Sequence, residues 1–160
     1  MERRPSWSGI AVKLSTRGRY GLKAVVDLAV YYGDAPVTLS VLAGMQGVSE
    51  AYLEQLLRVL RRAGIVETVR GAAGGYRLCC APAELDVGRV LAALEGSTAV
   101  VDCVGTGDAC CDRACTCSAR PLFLKLQARI NDVLRDTTIA DLATDYIEQK
   151  RRMEHAKGLS

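Results

Sequence analysis

Apolar residues recur at helical spacing through Leu22, Val25, Val26, Ala29 and Val30. This predicts a helix capped by Ser15 or Thr16, running to about Tyr32 and stopped by Gly33. Thr38 then opens a short helix over Leu39–Gln46, and Gly47 closes it. Ser49 caps a longer helix through Arg62, with Gly64 just beyond its end. A three-residue turn joins the two. In the longer helix Leu53, Leu56, Leu57 and Leu60 form one stripe that must face a core, while Tyr52, Glu54, Gln55, Arg58, Arg61 and Arg62 occupy the other face. Ile65–Val69 and Tyr76–Cys79 read as strands around the glycine-rich turn Arg70–Gly75, a hairpin with a long tip. The pattern is mainly α with a small β-hairpin wing. The order helix, short helix, longer helix, hairpin is that of a winged helix-turn-helix.

Beyond the hairpin, Asp86 caps a helix over Val87–Glu95 that Gly96 stops. The stretch Asp102–Ser118 has no periodicity and reads as a loop. Pro121 starts a long helix through Arg135 whose Leu122, Leu126, Ile130, Val133 and Leu134 share one stripe, and Thr138 with Asp141 forms a capping box for a last helix, Ile139 to about Glu154.

The chain has 160 residues, 49% of them apolar, and a net charge of +3, which excludes disorder and fits one globular unit. No stretch approaches a membrane span or a secretory leader, so the expected compartment is the cytoplasm and the seven cysteines are expected to be reduced. Charge is uneven. Residues 1–77 carry eleven Lys/Arg against six acids, an excess that suits a polyanion-facing half.

On the longer helix of the pair, Gln55 can pair bidentately with adenine, Glu54 can accept from cytosine, Arg58 can reach guanine or phosphate, and Tyr52 can donate to phosphate. Arg70 opens the slim hairpin tip and suits a narrow minor groove. The glycines of that tip are no nucleotide-binding loop, because they lie between two strands and lack a following Lys-Ser/Thr. Five cysteines fall between Cys103 and Cys117, with Cys103, Cys111 and Cys117 spaced C-x7-C-x5-C and Cys110 and Cys115 as further thiols. Several soft thiolates on a flexible segment suit an iron–sulfur cluster. Tetrahedral zinc, which favours C-x2-C pairs, and a thiol switch are the competing readings. The adjacent Cys79 and Cys80 are expected to be packing residues, and His155, the single histidine, a solvated side chain in a charged run. That inventory builds no hydrolase triad, so no enzyme is expected.

The segments Lys13–Gly21 (KLSTRGRYG), Ser49–Leu56 (SEAYLEQL) and Val69–Gly71 with Gly74–Tyr76 resemble the Rrf-type winged-helix transcription regulators, over about Lys13–Glu148. The resemblance is closest to the iron–sulfur cluster regulators of that family. It implies a homodimer that binds an operator in double-stranded DNA, with the long helix Pro121–Arg135 forming the dimer. It also implies a cluster, 2Fe–2S in the first place and 4Fe–4S as the alternative, on Cys103, Cys111 and Cys117. Family positions that supply a fourth ligand fall on Arg120 and Arg19, neither of which can ligate, leaving Cys110 or Cys115, an external thiol or water. The family's cysteine-metabolism regulators have no cysteine loop. They supply the alternative, a cluster-free regulator controlled by a partner enzyme or by thiol oxidation.

The expected organisation is an unordered extension at 1–12, a DNA-binding domain at 13–85, a cysteine-loop sensor and dimerisation region at 86–154, and a tail at 155–160. Val12 stands where family members begin with Met, as a start at a GTG codon there would explain.

Overall fold

The computed structural model describes residues 14–71, 74–96, 99, 101, 104 and 117–157. Six helices and one two-stranded antiparallel sheet follow in chain order among these residues: α1 Thr16–Val30, α2 Leu39–Gln46, α3 Glu50–Arg62, β1 Val66–Val69, β2 Gly75–Leu78, α4 Val87–Glu95, α5 Arg120–Asp136 and α6 Ile139–Lys157. A short 3-10 turn, Pro82–Glu84, precedes α4. The helix starts follow from their caps. The hydroxyls of Ser15, Thr38 and Ser49 and the carboxylate of Asp86 each accept a backbone N–H three residues on, at 3.0, 3.3, 3.3 and 2.8 Å. The capping box at the head of α6 is also formed, with Thr138 Oγ1 accepting from Asp141 N while the Asp141 carboxylate accepts from Thr138 N at 2.8 Å. The hydrogen bonds from Thr138 hold the Asp141 carboxyl below its ordinary range. Gly47 and Gly64, with φ of 65° and 68°, end α2 and α3 in the left-handed conformation that a side chain would oppose.

The core is one apolar cluster. Leu28 of α1, Leu42 of α2, Leu53, Leu57 and Leu60 of α3, Leu91 and Leu94 of α4 and Ile139 of α6 are all essentially buried in it. Each such leucine removes enough apolar surface from water to contribute roughly 1.5–3 kcal/mol. Two glycines let α1 approach α4: a Cβ on Gly21 would lie 2.6 Å from a methyl of the buried Leu94, and one on Gly18 would overlap the Glu95 carboxylate.

The hairpin pairs Val66 with Leu78, Glu67 with Arg77, Thr68 with Tyr76 and Val69 with Gly75. A third strand segment backs it, because Val37, just ahead of α2, exchanges backbone hydrogen bonds with Tyr76 at 3.0 and 2.8 Å. Gly75 therefore belongs to the strand, not to the flexible tip that the run of glycines suggests. A Cβ there would stand 2.6 Å from the Val37 carbonyl carbon and 3.0 Å from Thr38 N, both backbone atoms. Gly75→Ala is expected to destabilise the protein by about 1–3 kcal/mol, since neither backbone can yield without breaking the Val37–Tyr76 bridge. Gly44→Ala, on an exposed turn of α2 with open space around the added methyl, is expected to stabilise by about 0.5–1 kcal/mol through helix propensity. Urea denaturation of both variants checks the opposite signs.

One expectation changes on this scaffold. Cys80 packs against the core, but Cys79 is an exposed free thiol, because the sheet ends at Leu78 and the chain turns outward there. The apolar stripe of α5 faces out: Leu122, Leu126 and Val133 are 57, 42 and 63% exposed, while among the described residues Leu134 is the member of the stripe that reaches the core. No residue of α5 is buried. His155 is exposed, as its charged surroundings predict.

Candidate nucleic-acid interface

Helices α2 and α3 meet at the tight turn Gly47–Ser49. The leucine stripe of α3 points into the core, so its polar face is left to solvent. Glu54, Gln55 and Arg58 are exposed there, and Arg58 Nη2 donates to Glu54 Oε1 at 3.3 Å. With both side chains about half exposed, this i,i+4 pair contributes only a few tenths of a kcal/mol and is readily exchanged for a base or phosphate contact. Tyr52 is half-buried at the first turn of α3, with its ring edge-on to Tyr20 of α1, 6.1 Å between centroids and 87° between planes.

That aromatic pair brings a second basic group to the same end. Lys23 Nζ and the Arg19 guanidinium lie 5.3 and 6.0 Å from the centre of the Tyr20 ring, within reach of a cation–π attraction. They place positive charge from α1 beside the start of α3. The α1–Tyr52 arrangement has no periodic signature in the sequence and was not expected from it. Another polar link joins α1 to α2: Gln46 Nε2 donates to Asp27 Oδ2 at 2.9 Å. Burial pushes the Asp27 carboxyl above its ordinary range, against the pull of Gln46 and Lys23.

At the other end of α3, Arg61 Nη1 donates to Thr68 Oγ1 on β1 at 3.4 Å, tying the helix to the hairpin. Across the strands Arg77 Nε donates to Glu67 Oε1 at 2.6 Å. Arg70, at the root of the hairpin tip, is exposed. The exposed face of a helix that follows a tight turn, flanked by a hairpin with an arginine at its tip, can enter a major groove while the hairpin reaches the adjoining minor groove.

Of the candidate cluster ligands, Cys103 and Cys111 lie outside the described residues, as do Cys110 and Cys115. Cys117 is a half-buried free thiol three residues ahead of Arg120. Arg120 Nε is buried with no hydrogen-bond partner among the described residues. A buried guanidinium N–H without an acceptor suits an anionic group beside it, and a thiolate-ligated cluster is one.

The helix-turn-helix, its wing and the long helix that follows define a winged-helix DNA-binding regulator. The family model described as Rrf2, an iron-dependent transcriptional regulator, matches residues 14–145, and the chain belongs to the Rrf2 family. It is 40% identical over 134 residues to the HTH-type transcriptional regulator IscR of Vibrio parahaemolyticus, covering 84% of this chain and 79% of that one. Among solved structures it is similar to T. potens IscR, with a TM-score of 0.70, 39% identity and coverage of 85% of this chain and 89% of that one. It is equally similar to CymR (YrzC), the global cysteine regulator of B. subtilis, with a TM-score of 0.71, 36% identity and coverage of 84% and 98%. Among the described residues no helix is long and apolar enough to cross a membrane.

Proposed function

We propose that this protein is a homodimeric transcription regulator of the cytoplasm whose DNA binding is governed by an iron–sulfur cluster on Cys103, Cys111 and Cys117, with Cys110 or Cys115 as a candidate fourth ligand. The observation that carries the reading is the placement of five cysteines between Cys103 and Cys117, in the segment joining α4 to α5. When bound, the cluster supplies a redox- and iron-sensitive charge on that segment. Cys117 and Arg120 would hold and face it, as the unpaired Arg120 Nε–H favours. The DNA contacts fall to Tyr52, Glu54, Gln55 and Arg58 in the major groove and Arg70 in the minor groove. In a dimer the two copies of α3 must match half-sites one helical turn apart, roughly 34 Å, so a small shift of α5 changes affinity. The similarity to CymR supports a second reading, a cluster-free regulator of cysteine or sulfur metabolism controlled by a partner enzyme or by thiol oxidation. Anaerobic purification with iron and sulfide analysis separates the two: brown protein for the first, colourless protein for the second.

The proposed DNA contacts predict distinct losses. Gln55→Ala is expected to cost about 1–3 kcal/mol on the duplex that the wild-type protein selects from a random pool, with little change on scrambled DNA, because it reads base edges. Arg70→Ala is expected to weaken binding to both duplexes and to lower the salt slope by about one unit, because a minor-groove arginine reads potential and neutralises charge. Affinity measured across a salt series checks the pair. If neither change alters binding to the selected duplex, α3 and the hairpin do not dock as proposed.

A further inference from the structure

We propose that Glu95 is a positioning residue for DNA binding: it holds the N-terminus of α1 and, through the Tyr20–Tyr52 pair, the first turn of α3. Its Oε1 accepts from Ser15 Oγ at 2.6 Å and from Ser15 N at 3.2 Å, across 80 positions of sequence. Ser15 Oγ in turn accepts from Gly18 N at 3.0 Å, so a chain of hydrogen bonds runs from the first turn of α1 through its cap to one carboxylate oxygen. Such chains polarise one another. The first turn of α1 has no acidic residue of its own. Glu95 supplies the negative charge that the positive end of a helix dipole favours. Gly18 makes room for it, since a Cβ there would overlap the carboxylate.

The consequence reaches DNA in two steps. Tyr20 lies two residues beyond Gly18 and rests its ring against Tyr52, which sits beside Glu54 and Gln55 on α3. Releasing the start of α1 therefore loosens the support of the helix turn that carries the base-reading side chains. Glu95 is also the last residue of α4, and Cys103 follows eight positions later. On the cluster reading above, this makes Glu95 the point at which a change in the cysteine segment reaches the DNA-binding helices.

The test uses the full-length chain as purified, with and without its cluster, so it does not depend on that reading. Ser15→Ala, Glu95→Ala, Glu95→Gln and the Ser15→Ala/Glu95→Ala double variant are compared on the selected duplex and on scrambled DNA, with thermal unfolding as a control for folding. Ser15→Ala and Glu95→Ala are each expected to weaken binding to the selected duplex by about tenfold, the scale of a lost charge-assisted hydrogen bond. The double variant should lose less than the sum of the two single losses, because both remove the Ser15 Oγ–Glu95 hydrogen bond. Glu95→Gln, which keeps an acceptor oxygen but not the charge, should recover part of the loss, and the salt slope should stay at the wild-type value because no phosphate contact is removed. Unchanged affinity in folded Glu95→Ala, or losses that add in the double variant, would overturn the proposal. If the protein as purified holds no iron while the Ser15 and Glu95 effects are present, the positioning role stands and the cluster reading falls.

Discussion

Replacing Cys103, Cys111 or Cys117 by alanine is expected to abolish stable cluster binding in each case. Every substitution removes one thiolate from a set in which the fourth position already has no histidine or carboxylate to fall back on: the residues standing there are Arg120 and Arg19. A neighbouring side chain can replace the lost ligand only if the segment is rebuilt around it. Two cysteines serve as controls. Cys79 lies at the end of the hairpin, outside the Cys103–Cys117 segment, and although the residue is exposed, partial desolvation with Glu67 and Cys80 nearby pushes its thiol up. Cys80 packs against the core. Cys79→Ala is expected to leave the cluster unchanged, and Cys80→Ala to lower stability without changing the absorption spectrum. Anaerobic absorption with iron and sulfide analysis reads all five variants. A full-intensity spectrum from any of the first three would sink the ligand assignment.

The second large effect is expected on α5. Leu122, Leu126 and Val133 sit at helical spacing on one side of a 17-residue helix, exposed, while the same helix touches the core only through Leu134. A stripe of that size left in water is the mark of a surface that another chain covers. A two-fold partner places the same stripe against itself. The double substitution Leu126→Asp/Val133→Asp is expected to give a monomer, since it would bury two facing pairs of like charge in the interface. Because the proposed dimer would hold two half-sites at once, binding to the selected duplex should fall by about 10²–10⁴-fold as that linkage is lost. Thermal stability of the core should hardly change, because neither side chain reaches it. Light scattering and DNA binding at matched protomer concentration test the expectation. A dimer of wild-type affinity would place the interface elsewhere.

Much of the architecture can be read along the chain because its signals are local. Ser15, Thr38, Ser49, Asp86 and Thr138 satisfy backbone donors three residues away, so each announces a helix start regardless of what the rest of the molecule does. The α3 leucines recur at 3.6-residue spacing, and that period alone separates the buried side from the face carrying Glu54, Gln55 and Arg58. The boundaries of α2 and α4 fall where the capping residues and glycines put them, and those of α5 and α6 differ from expectation by one to three residues at frayed ends.

The glycines were the harder residues to read. Gly71, with φ of 119°, does turn the backbone as a run of glycines suggests. Gly75 and Gly21 are glycines because another segment lies where a side chain would be.

The helix starts, the buried face of α3, the hairpin and the cysteine spacing are legible along the chain, since caps, period and spacing act within a few residues. That Ser15 is held by Glu95, that Tyr20 supports Tyr52, that Val37 backs the hairpin and that the stripe of α5 points away from its own core come from the folded arrangement. Each of these joins segments far apart in the chain. A close approach of two backbones or a carboxylate at a distant helix end is selected by packing density and by the geometry of hydrogen bonds in space, which leave no repeat along the chain to read.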